Sequence, residues 1–176
     1  MNIEEHLKES IRDVPDFPKK GIIFKDITPI MMNPELSNLV LDHLVDVYQN
    51  QSIDAIAGIE SRGFLFGYPL AMRLGIPFIL VRKKGKLPYE KISHDYALEY
   101  GTASIEMHTD AIQKGQRILI HDDLLATGGS AEAAALLITK SGGVIHGFNF
   151  LVELSFLDGT KKLTSFSDNI VNLATY

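Results

Sequence analysis

The stretch from Ile118 to Leu137, ILIHDDLLATGGSAEAAALL, constrains this chain more than any other. Ile118, Leu119 and Ile120 form the short apolar run of a parallel strand covered on both faces, and Ala131 to Leu137 is a run of good helix formers. The turn between them therefore lies at the carboxyl end of a strand, where open α/β sheets hold ligands. A helix starting near Gly129 directs unpaired N–H groups and about half a positive charge at any anion in that turn.

Neighbouring residues on a regular strand face opposite ways, so Asp122 and Asp123 can serve one ligand only if the strand ends or bends at the pair. Carboxylates repel phosphate, and their natural partners are neutral hydroxyls, such as a ribose diol, or a bridging Mg²⁺. Ala126, Thr127, Gly128, Gly129 and Ser130 add hydroxyls and backbone donors in a turn whose glycines allow close approach. The turn is not a Walker loop, because it lacks the Gly-Lys-Ser/Thr ending. An ordinary strand, turn and helix with a polar cap has the same outline.

The remaining elements repeat the alternation. Asn33-Pro34-Glu35 reads as a cap, a first-turn proline and a first-turn acid, followed by Leu36, Leu39, Val40, Leu44, Val47 and Tyr48 at helical spacing. Ile53 to Ile59 reads as a strand, Phe64 to Leu74 as a helix ended by Gly75, and Pro77 to Val81 as a strand, a βαβ unit with a right-handed crossover. Val144 to Leu154 continues the series. The fold class is α/β with a mainly parallel sheet flanked by helices, in one domain spanning residues 1–176.

Two further loops rise at strand carboxyl ends. In Glu60-Ser61-Arg62-Gly63-Phe64, Ser61 and the turn N–H groups suit a pyrophosphate, and Arg62 suits a pyrophosphate or a base ring. Ser61 is not a nucleophile elbow, since Ile59 stands at the first Gly position. Arg82-Lys83-Lys84-Gly85-Lys86 puts four cations in five residues. Such a run is usually a solvated face, but here it lies beside a phosphate turn in a chain of net charge −5. That acidic balance disfavours nucleic acid as a partner. The chain has no cysteine, which excludes disulfides and thiolate metal sites. No apolar run reaches the roughly 20 residues of a membrane span, and the opening MNIEEHLKESIRD is charged and amphipathic, so a cytoplasmic location is expected.

Several strings in this chain resemble those of the type I phosphoribosyltransferases, and most closely the members that act on adenine. The acid pair followed by Ala-Thr-Gly-Gly-Ser resembles the family's phosphoribosyl pyrophosphate signature. The resemblance implies that Asp122 and Asp123 hold the ribose hydroxyls while Leu124, Leu125, Ala126, Thr127, Gly128, Gly129 and Ser130 wrap the 5′-phosphate. Ser130 keeps the hydroxyl of the usual Thr, and His121, where the family has an aliphatic residue, reads as a packed strand histidine. ESRGFLFG is similar to the segment that lays Arg62 against purine and pyrophosphate, with Ser61 also on pyrophosphate. RKKGKLP implies pyrophosphate contacts from Arg82, Lys83 and Lys86 and, because this segment often reaches a neighbouring subunit, a homodimer.

FPKKGIIFKDITP, otherwise a loop with an exposed aromatic, resembles the purine pocket. There the backbone of Ile23 meets the base edge and Phe24 stacks on it, with Lys25 nearby. ISHDYALEYG resembles the catalytic hood, with Tyr96, Glu99 and Tyr100, Glu99 being the acid nearest the base; Tyr96, Leu98 and Tyr100 also fit a hairpin strand. The implied fold is the type I one, with a small hood from about residues 1–30 and a mobile loop at about 84–102. The implied activity is transfer of phosphoribosyl to N9 of adenine, giving AMP and pyrophosphate, with Mg²⁺ carried by the sugar pyrophosphate rather than by the protein. Relatives acting on hypoxanthine and guanine usually carry Asp where this chain has Ala126, so adenine is the expected base. A sensor of phosphoribosyl pyrophosphate without turnover is the alternative from another class.

Overall fold

The computed structural model describes residues 2–97 and 102–176. Asn2 and Glu5 form a reciprocal capping box that starts α1 (Ile3–Ser10). A small hairpin follows, β1 (Arg12–Pro15) antiparallel to β2 (Ile23–Asp26). After the short α2 (Thr28–Met31), the Asn33 side chain accepts from the N–H groups of Glu35 and Leu36 and opens α3 (Pro34–Tyr48), as Asn-Pro-Glu predicts. β3 (Ala55–Ile59), α4 (Gly63–Leu74) and β4 (Phe78–Lys83) make the first βαβ unit. Gly75 closes α4 at φ 68°, a conformation that favours glycine. β5 (Lys91–Ala97) and β6 (Thr102–His108) form an antiparallel hairpin. β7 (Arg117–Leu125), α5 (Gly129–Lys140), β8 (Val144–Glu153), α6 (Gly159–Leu163) and β9 (Ile170–Thr175) complete the chain.

Seven strands form one sheet in the order β5-β6-β4-β3-β7-β8-β9. The pairs β4/β3, β3/β7, β7/β8 and β8/β9 are parallel, and only the β5/β6 hairpin introduces antiparallel ladders. On one face α5 packs its small Ala133, Ala134 and Ala135 and its Leu137 and Ile138 against Ile118, Ile120, Phe148 and Phe150. On the other, Leu7 of α1, Val40, Leu44 and Tyr48 of α3, and Phe66 and Leu70 of α4 cover Ile56, Leu119 and Leu151. This doubly covered sheet requires the continuous apolar strands read from the sequence.

The acid pair does not end its strand. β7 runs through Asp122 and Asp123 to Leu125. The side-chain alternation slips at the pair instead. Ile118 and Ile120 face the α5 layer and Leu119 the opposite one, whereas beyond the acids Leu124 lies with the α3/α4 layer and Leu125 with α5. The chain thereby keeps its ladder while re-aiming two consecutive carboxylates: of the ending or bend expected at the pair, the ending does not occur.

His121 is fully buried beneath this point. Its Nδ1–H donates to Asn149 Oδ1 at 2.6 Å, and Asn149 Nδ2 donates to the carbonyl of Val171 on β9. The imidazole lies so close to α4 that a Cβ on Gly67 would meet its Cδ2 at 3.0 Å. Burial pulls the His121 pKa down to about 4, so the ring is neutral in the folded protein. The unfolded chain therefore binds a proton near pH 6.5 that the folded chain refuses, and stability should fall as pH drops from about 6.5 towards 4. In denaturant titrations, the stability difference between wild type and His121→Gln should narrow by about 3 kcal/mol between pH 7 and pH 4. A difference independent of pH would show that this imidazole is not held neutral.

Candidate active site

The carboxyl ends of β3, β4 and β7 open together into a cavity of about 540 Å³. Its floor is Asp122 to Leu125, and its far wall is the turn from Ala126 to Ser130. Glu60, Ser61 and Arg62 come from the β3–α4 turn, Lys83 from β4, and Tyr96 from β5. Gly128 enters α5 at φ 79°, and no side chain caps that helix, so its first N–H groups face the cavity. The glycine is needed for space as well as conformation, because a Cβ there would lie 2.7 Å from the carbonyl oxygen of Gly159.

The two acids occupy different environments. Asp123 is 5% exposed and its Oδ2 receives the Nε–H of Arg62 at 2.5 Å. Asp122 keeps a partial opening to the cavity, and its Oδ1 accepts the Asp123 N–H at 2.9 Å. Burial, and then the neighbouring Asp123 charge, push the Asp122 carboxyl well above the ordinary carboxylate range. The pair thus sets one carboxyl bonded to Arg62 beside one readily protonated carboxyl, a combination able to accept from and donate to vicinal hydroxyls.

Arg62 joins this floor to the small hairpin: its guanidinium carbon lies 5.6 Å from the centroid of the Phe24 ring. Phe24 in turn meets Phe17 edge to face at 5.2 Å. Ile23 is 54% exposed at the same edge. The Lys25 ammonium is engaged by Asp13 at 2.6 Å and by the Tyr176 ring at 3.7 Å. None of Ile23, Phe24 and Lys25 is among the described residues that line the cavity, so the hairpin borders it through Arg62.

The basic segment divides. Lys83 lines the cavity. Arg82 is committed to Glu60, donating from Nε at 3.2 Å and Nη2 at 3.0 Å, and its Nη1 donates to the carbonyl of Lys86 at 3.0 Å. Glu60 also accepts the Lys83 N–H at 2.9 Å, and these bonds, Arg82 first, hold its carboxyl below the usual range. Lys86 is exposed outside the cavity lining. Buried Glu106 on β6 accepts the Gly85 N–H at 3.0 Å and shapes the same turn. Glu99 and Tyr100 lie outside the described residues.

Sequence reasoning did not single out Glu60, Glu106 or Gly159. Glu60 had a signal, as the acid preceding Ser61-Arg62. Gly159 had none, because its constraint is a long-range contact. A Cβ on Gly159 would sit 2.2 Å from the Ala126 carbonyl oxygen. Glu153 helps fix this α6 start by accepting from the Thr160 hydroxyl and from Asn172 Nδ2.

The chain matches the phosphoribosyl transferase domain over residues 30–146. It is 52% identical to an adenine phosphoribosyltransferase of Cytophaga hutchinsonii over 99% of this chain and 96% of that protein. The crystal structure of adenine phosphoribosyltransferase from Thermoanaerobacter pseudethanolicus superposes with a TM-score of 0.93 at 50% identity, covering 98% of this chain and 99% of that one. The Saccharomyces cerevisiae enzyme, complexed with an imino-altritol bisphosphate and adenine, gives 0.90 at 41% identity over 97% and 98% of the two chains.

Gly159→Ala tests the support beneath the turn. The added methyl must displace Ala126, so affinity for a phosphate monoester should fall at least about tenfold while the melting temperature moves by only a few degrees. Unchanged affinity would mean that the turn does not depend on α6.

Proposed function

This chain belongs to the phosphoribosyl transferase family and, within it, to the adenine phosphoribosyltransferases, and from that premise we propose how its residues divide the reaction. The enzyme transfers the phosphoribosyl group of phosphoribosyl pyrophosphate to N9 of adenine, giving AMP and pyrophosphate. The bond from ribose C1 to pyrophosphate oxygen breaks, the bond from C1 to N9 forms, and N9 loses its proton.

One observation carries the assignment of parts: Arg62 touches both Asp123 in the cavity floor and the Phe24 ring of the hairpin. The base therefore belongs on the hairpin side and the sugar on the acid side. The residues from Leu124 to Ser130 surround the 5′-phosphate, with the α5 N-terminus supplying N–H donors. Asp122 and Asp123 take the ribose hydroxyls. Ser61, Arg62 and Lys83 face the leaving pyrophosphate, with Arg82 and Lys86 forming the turn behind Lys83. Ile23 presents its backbone to the base edge and Phe24 its ring to the base face, with Lys25 behind them on the opposite face of the hairpin. Tyr96 lines the cavity as part of its cover, and Glu99 is the acid proposed to act at the base.

Positive charge develops at C1 as pyrophosphate departs, so catalysis rests on positioning and on cations around the leaving group. Among the described residues no group of three or more His, Asp and Glu side chains is placed to hold a metal ion. Asp122 and Asp123 are the acids that would face a Mg²⁺ brought in with phosphoribosyl pyrophosphate. When bound, it neutralises the departing pyrophosphate.

The same reading includes a homodimer. Leu65, Tyr68 and Met72 present one exposed face of α4, and Leu80 of β4 is 39% exposed beside it, an apolar surface suited to a second copy. No helix among the described residues is long and apolar enough to cross a membrane. We place the reaction in the cytoplasm, where its phosphorylated substrates and products are retained.

The assay is a competition: protein, Mg²⁺ and phosphoribosyl pyrophosphate with adenine, hypoxanthine, guanine and xanthine together, resolving the nucleotides formed. AMP should dominate, and IMP, GMP or XMP in its place would overturn the base assignment. Phe24→Ala should raise the adenine KM about tenfold or more with the phosphoribosyl pyrophosphate KM within about twofold, the scale of a lost ring stack. An equal rise in both would assign Phe24 to packing.

A further inference from the structure

The hairpin that borders the cavity stands apart from the seven-stranded sheet. A two-stranded hairpin is marginally stable by itself, so its position must come from what it rests on. Its root is anchored by the buried Ile11 and Ile27 on either side. Its front is Phe24, facing Arg62. Adjacent strand residues point to opposite faces, so Lys25 projects from the back. There its side chain is only 13% exposed, paired across the strands with Asp13, and its ammonium lies 3.7 Å from the centroid of the Tyr176 ring.

Tyr176 is itself held firmly. Its N–H donates to the Glu153 carbonyl at 2.9 Å, and its carbonyl accepts from the N–H of Ser155 at 2.9 Å and the Ser155 hydroxyl at 2.7 Å. A second tie lies alongside, where the Thr175 N–H donates to Glu4 of α1. Ser155 begins the turn leading to Gly159, which abuts the Ala126 carbonyl under the phosphate turn. One aromatic ring thus seats the back of the hairpin on the structure that supports the phosphate turn.

We infer that Tyr176 is a positioning residue for the base: its ring, through the Lys25 ammonium, sets the distance between the Ile23–Phe24 edge and the sugar site. The inference rests on the adenine reading for what the hairpin binds. Tyr176 touches no substrate, and it acts by limiting how far the hairpin can rock.

The test is steady-state kinetics on the full chain with Tyr176→Leu, Tyr176→Phe, Lys25→Met and the Tyr176→Leu/Lys25→Met double variant. Tyr176→Leu and Lys25→Met should each raise the adenine KM about fivefold, the size of one cation–π contact, with the phosphoribosyl pyrophosphate KM within about twofold. Tyr176→Phe, which keeps the ring face, should restore the wild-type value, and the double variant should be no worse than either single one. An unchanged adenine KM, or equal rises in both KM values, would overturn the inference. If Tyr176→Leu does not fold, Lys25→Met, which keeps the aliphatic stem, decides. Failure of wild type to make AMP would reject the adenine reading alone. The seating would then be judged by trypsin cleavage at the exposed Lys19–Lys20 tip of the hairpin. Faster cleavage in Tyr176→Leu would support it, and an unchanged rate would overturn it.

Discussion

The ion pair between Arg62 and Asp123 is the contact on which the geometry of the cavity depends. The Asp123 side chain is 7% exposed and that of Arg62 45%, so the acid is enclosed while its partner still reaches the opening. An enclosed carboxylate without a cation is costly, and here a second acid immediately precedes it on the same strand. Arg62 pairs directly with Asp123, while burial and the adjacent Asp123 drive Asp122 towards its protonated form. The same guanidinium lies against Phe24. Three segments far apart in the chain, the hairpin, the β3–α4 turn and β7, therefore meet at one planar group.

A second set of bonds shapes the cationic side. Glu60 chelates Arg82, and Glu106 takes the Gly85 N–H, so two acids define a turn whose charge is otherwise positive. The consequence is a division of labour among neighbouring cations. Arg82 is spent on structure through its bonds to Glu60 and to the Lys86 carbonyl, which leaves Lys83 as the member of the run lining the cavity. A run of like charges in the sequence does not distinguish these duties, because they are set by which acids the other strands deliver.

The central part of the fold was legible because its signals are local. Asn33-Pro34-Glu35 opens α3, Gly75 closes α4, and the apolar runs of β3, β4, β7 and β8 need no distant partner to be recognised. The cavity floor was legible for the same reason, since acids, glycines and helix start lie within one stretch. The small hairpin read as a loop because β1 and β2 are short and contain no buried residue, and are stabilised by pairing that a linear pattern does not reveal. β9 shows no strong alternation and becomes a strand by adding to the edge of β8. Strand periodicity alone left open whether β7 ends or bends at its acids. The ladder to β8 keeps one register from Asp122, opposite Phe150, to Leu124, opposite Val152, and carries the strand past the change of facing.

The parts that were hard to read share a location. Residues 30–146 match the phosphoribosyl transferase domain, and they contain the acid pair, the phosphate turn, Arg62 and the basic run. The segments on either side of that region pack on each other: α1 lies along β9, Glu4 accepts from Thr175, and Lys25 rests on Tyr176. Chemistry common to sugar-pyrophosphate substrates needs only the central region, because an acid pair and a helix N-terminus recognise ribose and phosphate whatever base is to be attached. Selection of the base needs a surface that can vary without disturbing that machinery. A hairpin outside the main sheet, seated by the last strand and joined to the floor only through Arg62, meets that requirement. Its placement by contacts between distant chain segments is also why local sequence patterns reveal the cavity floor more readily than the hairpin.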